Sequence, residues 1–209
     1  MTIHEPSTLV TDYLVSVAAV IFGARLWSSF RLWSLAFFGT AAGAFFGGTY
    51  HGFAAEMTPF AAAVLWKVAI FSIALASFFL LSGCGRAFGA IAVVKLIATM
   101  SWMINHDQFV WVILDYGITL LILGGAEIVA WFLRRAPSAP WALGSVALSV
   151  AGALVQQAQI NLHEHFNHND LYHVIQLVAL WMLYRSGLVW SAVAPSPRFP
   201  SRASSDAPE

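Results

Sequence analysis

The chain carries little charge. Asp, Glu, Lys and Arg make up 10% of its 209 residues and hydrophobic residues 59%, whereas soluble domains are about a quarter charged. A soluble fold needs polar residues for its surface, and this composition leaves too few; lipid as the solvent removes the conflict. Ten basic residues balance ten acidic ones, so there is no basic face for nucleic acid. The single cysteine, Cys84, excludes an internal disulfide and a thiolate metal site of its own. No Lys or Arg precedes Arg25, so the N-terminus lacks the basic segment of a signal peptide, and the first apolar stretch reads as a retained span.

What is present is a series of long apolar runs. A membrane-crossing helix needs about 20 mostly apolar residues in succession. Seven stretches qualify, near Leu9–Phe30, Leu32–Phe53, Phe60–Gly83, Ala87–Ile104, Phe109–Leu133, Trp141–Leu162 and Leu171–Val193. The breaks between them carry charge, Gly or Pro. The expected fold is therefore all-α, a polytopic membrane protein of seven transmembrane helices occupying residues 1–194. The proline-rich residues 195–209 form a polar tail, read as disordered. Lys and Arg mark cytoplasmic loops. Arg25, Arg31, Arg86, Arg134 and Arg135 fall in or beside alternate breaks, Arg185, Arg198 and Arg202 end or follow the last helix, and the other breaks have no basic residue. This places the N-terminus outside and the C-terminus in the cytoplasm. Short loops and the lack of a disulfide pair fit a bacterial inner membrane.

On that map all seven histidines lie at the non-cytoplasmic end. His51 closes the second helix, His106 and Asp107 follow the fourth, and His163, His165, His168 and His173 precede or open the seventh. Outer loops collect histidine without any function, which is a sufficient account of His4, His163 and His165. Neutral imidazole is also a zinc ligand. In His168-Asn-Asp-Leu-Tyr-His173, the residue one turn before His173 is Asn169. His168 can join His173 if the helix starts near Asn169 or Asp170, which leaves Asp170 as a cap or first-turn acid. The small residues Gly43, Ala44, Gly47 and Gly48 let helices approach closely. Thr49 offers a hydroxyl, or bonds its own backbone one turn back.

Ionisable groups within spans are expensive and call for a partner or a function. Asp115 and Lys67 lie at similar depth in the fifth and third helices, and an ion pair between them is one account; a catalytic or supporting acid at Asp115 is the other. Lys95 and Glu127 lie deeper and are expected to pair. Glu56, just after His51, could serve a metal or a substrate, or sit in an exposed loop. Tryptophans near helix ends form an aromatic belt.

Gly-Gly-Thr-Tyr-His51-Gly and His168-Asn-Asp-Leu-Tyr-His173-Val-Ile-Gln, set on seven helices, resemble the CREST superfamily, which includes alkaline ceramidases, progestin and adiponectin receptors and haemolysin III-like proteins. The resemblance covers nearly the whole chain in topology. It implies a zinc held by three histidines, one on the second helix and an H-x-x-x-H pair on the seventh, and hydrolysis of an amide or ester in a membrane lipid. Carried over, His51 and His173 are ligands with His168 as the third; Asp115 or Glu56 supplies the acid; and Asp170, Asn169, His106, Asp107 and Thr49 support the site. The sequence departs from the pattern at Asn169, at Gly47 (where the family has serine) and in the third helix, which has no Asp. Other readings stay open: a non-catalytic receptor, transport or binding protein whose outer histidines titrate near pH 6.5, or a haem protein with two axial histidines. Retinal is disfavoured because the seventh helix has no lysine.

Overall fold

The computed structural model describes residues 3–193, and the proposed tail lies outside them. There are seven α-helices: α1 Pro6–Leu26, α2 Arg31–Phe53, α3 Pro59–Gly83, α4 Arg86–Met103, α5 Phe109–Arg134, α6 Ala139–Gln157 and α7 His168–Val193. One turn of 3₁₀ helix, Ala54–Glu56, follows α2. Six of them, all but α2, are long and apolar enough to cross a membrane, as expected of an integral membrane protein. Large apolar side chains such as Leu121, Phe132 and Leu133 point outward, as lipid-facing positions do.

Local chemistry accounts for the helix ends. Proline stands in the first turn of α1, α3 and α6, where its missing N–H has no intrahelical partner to lose. Thr58 caps α3 by accepting from the Ala61 N–H (3.2 Å). Arg135 ends α5 in the left-handed region, with φ at 53°. α7 opens with a reciprocal cap. The Asn167 side chain accepts from the Asn169 N–H (2.8 Å), while the Asp170 carboxylate accepts from the Asn167 N–H (2.7 Å). This is the two-way capping box, and it makes Asp170 a first-turn acid.

The packing order is a ring. α1 lies against α2, α2 against α3, α3 against α5, α5 against α6, α6 against α7, and α7 closes on α1. α4 stands outside this ring, packed mainly on α3. The α1–α2 contact is close because Gly48 has no side chain: a Cβ there would lie 2.7 Å from the Asp12 Cβ. The ring encloses a core that includes Trp33, Phe37, Leu80 and Leu123 towards the end where α1 meets α2. Towards the opposite end, where α2 meets α3 and α6 meets α7, it encloses a cavity.

Candidate functional site at the histidine end of the bundle

The cavity has a volume of about 270 Å³, near the lower edge of the roughly 300–1,000 Å³ typical of small-molecule sites. Every helix except α4 lines it. Its walls are mostly apolar, from Val15, Ile70, Ile73, Val112, Leu120 and Leu180. The acidic and basic side chains that line it are Asp12, His51, His168 and His173, with no Lys or Arg among them.

Asp12 and His173 form the centre of the site. His173 Nε2 lies 3.2 Å from Asp12 Oδ1, and both side chains are largely buried. On the far side of the ring, His173 Nδ1 lies 3.0 Å from Thr11 Oγ1. Thr11 donates to the Thr8 carbonyl (3.1 Å). With the Thr11 hydrogen on that carbonyl, which only accepts, Nδ1 carries the hydrogen that reaches Thr11 Oγ1; with the Thr11 hydrogen turned to Nδ1, the ring hydrogen sits on Nε2. In either tautomer one hydrogen lies between Nε2 and Asp12 Oδ1. The pair is thus able to give or take one proton within an apolar cavity. Asp170 stands behind it, fully buried, and accepts from the Thr8 hydroxyl (2.9 Å). Both Asp12 oxygens lie near Gly47, where a Cβ would sit 3.8 Å from Oδ2 and 4.0 Å from Oδ1, at ordinary contact distance.

His51, half-buried on α2, places Nδ1 3.2 Å from Glu5 Oε2. This imidazole holds the Glu5 carboxyl below the ordinary carboxylate range, burial opposing the shift. Glu5, Thr8 and Asp12 thus present one polar stripe of α1, spaced three and four residues apart, to α2 and α7.

The expected three-histidine zinc site does not assemble. His168 is the first residue of α7 rather than a loop residue, and its Nδ1 pairs with Asn161 Oδ1 (3.0 Å). At 3.6 residues per turn, positions 168 and 173 point roughly 140° apart, and the residue in register is Asn169. Among the described residues, no three His, Cys, Asp or Glu side chains converge as a ligand set. His51 and His173 share the cavity, and no third ligand converges with them among the described residues.

The expected acids lie elsewhere. Glu56 is 3.8 Å from His4 at the surface. Asp115 pairs with Lys95, not Lys67, and also accepts from Thr99 (2.7 Å). This cluster joins α4 to α5 and is not part of the cavity lining. Lys67 instead donates to the Met103 carbonyl (2.6 Å) and lies 3.8 Å from Asp107. Glu127 accepts from Ser138 (3.3 Å) rather than pairing with Lys95. Thr49 bonds the Phe45 carbonyl one turn back (2.7 Å) and Tyr13 (3.0 Å). His106 stacks on Trp102, with ring centroids 3.8 Å apart. Asn169 lines the cavity beside His173. The residue missed from sequence is Asp12, an acid inside the first predicted span; the argument that singled out Asp115 applies to it equally.

Neither the curated proteins nor the solved structures include a match to this chain. One family model does match, over residues 7–191 and so across all seven helices; the chain belongs to DUF6962, a family of unknown function.

Proposed function

We propose that this chain is a seven-span membrane protein, N-terminus outside, of a bacterial inner membrane, and that it binds a single-chain amphiphile from the bilayer. The tail lies in the central cavity and the polar head meets Asp12, His51 and His173. The observation that carries this reading is the layout of the cavity: ionisable groups from α1, α2 and α7 gather at one end of a space whose other walls are mostly apolar. An amphiphile matches that division, because burying a polar group without a partner is costly. The test is to purify the protein in detergent and extract and quantify retained lipid by mass spectrometry. About one amphiphile per chain, lost in Asp12→Leu, supports the reading. A folded protein that retains none, and takes up none from added lipid, refutes it.

A second reading is hydrolysis of a lipid amide or ester at the same end, the activity that the resemblance implies. It is supported by the proton-sharing Asp12–His173 pair standing beside His51. Elemental analysis of protein purified without a metal-binding tag tests its zinc-dependent form. About one zinc per chain, lost in both His51→Ala and His173→Ala, favours it; folded protein without metal counts against it.

A further inference from the structure

A second polar station lies one turn further along α7 from His173. Ser149 Oγ on α6 donates to Gln176 Oε1 on α7 (3.2 Å), and Gln176 Nε2 donates to the Tyr172 hydroxyl oxygen (3.2 Å). All three residues line the cavity. A carboxamide has two N–H hydrogens and a phenol one. This network uses one of the Gln176 hydrogens, and among the described residues the Tyr172 O–H has no acceptor. Two hydrogen-bond donors therefore remain at a wall that is otherwise mostly apolar, where an unmet donor costs free energy. Residues 173 and 176 are separated by a helical rise of about 4.5 Å and Tyr172 adjoins His173 in the chain, so the unmet donors lie close to the charged end of the cavity. Helix–helix adhesion alone would need only Ser149 and Gln176; the free donor on Tyr172 has no use in it.

We propose that Gln176 and Tyr172, with Ser149 orienting the carboxamide, recognise a carbonyl oxygen next to the ligand head, so that the cavity selects an acylated amphiphile over an alkyl one of equal length. This rests on the amphiphile reading above and adds to it the class of linkage. The donors suit an ester or amide carbonyl, a stronger acceptor than an ether oxygen.

The test compares monododecanoylglycerol with 1-O-dodecylglycerol, which differ by that carbonyl, for binding to the purified full chain in nanodiscs. Wild type is expected to prefer the ester about tenfold, the effect of one or two met donors. In Gln176→Leu and in Tyr172→Phe, which removes only the hydroxyl, the preference should fall towards one while ether binding persists. Persistent ether binding also shows that the variants are folded. Equal binding of the two lipids by wild type overturns the inference and leaves the amphiphile reading standing. A preference that survives in both variants overturns the assignment to these residues. If neither lipid binds wild type, the amphiphile reading fails and this inference fails with it.

Discussion

Gly117 offers a way to plug the cavity without disturbing the bundle. It lies on α5 and lines the cavity, and a Cβ built there meets nothing within 4 Å. Gly117→Leu would put four side-chain carbons on the cavity wall. If three of them take the place of ligand methylenes, at about 0.8 kcal/mol each, the loss is about 2.4 kcal/mol, or roughly 60-fold in affinity. The effect on folding has the opposite sign. Replacing glycine with leucine inside a helix favours the helix by somewhat less than about 1 kcal/mol, and no neighbour has to move to admit the first carbon. The variant is therefore expected to be as stable as wild type or more so, yet to bind amphiphile far more weakly. The assay pairs lipid binding in nanodiscs with thermal unfolding in the same preparation. Unchanged affinity would show that ligand does not occupy the cavity beside Gly117. Weaker binding together with lower stability would show that the position is packed, contrary to the geometry.

Three other perturbations probe the frame of the site. Lys95→Met leaves the Asp115 carboxylate buried without its cation and should lower stability by about 3–5 kcal/mol, most of it recovered in Lys95→Met/Asp115→Leu; equilibrium unfolding of both variants in micelles measures this. The Glu5 contribution is set by His51, which holds the carboxyl below its ordinary value of 4.5. A lowered carboxyl stabilises the fold above the unfolded-state value and loses that effect as pH falls through the folded-state value. The melting-temperature difference between wild type and Glu5→Gln should accordingly be present at pH 6 and vanish in acid, and a difference that grows on acidification would contradict the pairing. Gly48→Ala would press a Cβ against Asp12 at 2.7 Å, and is expected to destabilise the α1–α2 contact by about 1–3 kcal/mol and to weaken lipid binding by displacing Asp12.

The helices were legible because long apolar runs and the residues that break them are local properties. Pro6, Pro59 and Pro140 sit in first turns, and seven helices appear close to where the apolar runs place them. The rotation of each helix was not legible. Depth along antiparallel spans makes Lys67 and Asp115 plausible partners, but depth says nothing about which face a side chain occupies, and Lys95 on the outlying α4 reaches Asp115 instead. Hydropathy also gives no sign that α4 lies outside the ring. His51 and His173 were found because histidine is rare in apolar surroundings. Asp12 was overlooked although Glu5, Thr8 and Asp12 form a stripe at helical spacing, a pattern visible in sequence. The pairing itself was not legible: Asp12 and His173 lie on the first and last helices, and only closure of the ring brings them together.

That closure ties the site to the architecture. Thr8 to Asp170, Thr11 to His173 and Asp12 to His173 are all contacts between the first and last helices, so the polar groups of the site are also the seam that joins α1 to α7. A ligand whose head donates to Asp12 can use Oδ2 while Oδ1 remains with His173. Binding and closure then reinforce each other, because the same carboxylate serves the ligand on one oxygen and the seam on the other. A head group that instead brings a negative charge meets no Lys or Arg on the cavity wall and must share the space with Asp12. On the amphiphile reading proposed above, the site therefore favours a head that is neutral or cationic and rich in donors. The same geometry makes the seam sensitive to protonation, since only one hydrogen lies between Nε2 and Oδ1. Adding a second weakens the reason for α1 and α7 to meet there, and removing it sets a carboxylate against an imidazole lone pair.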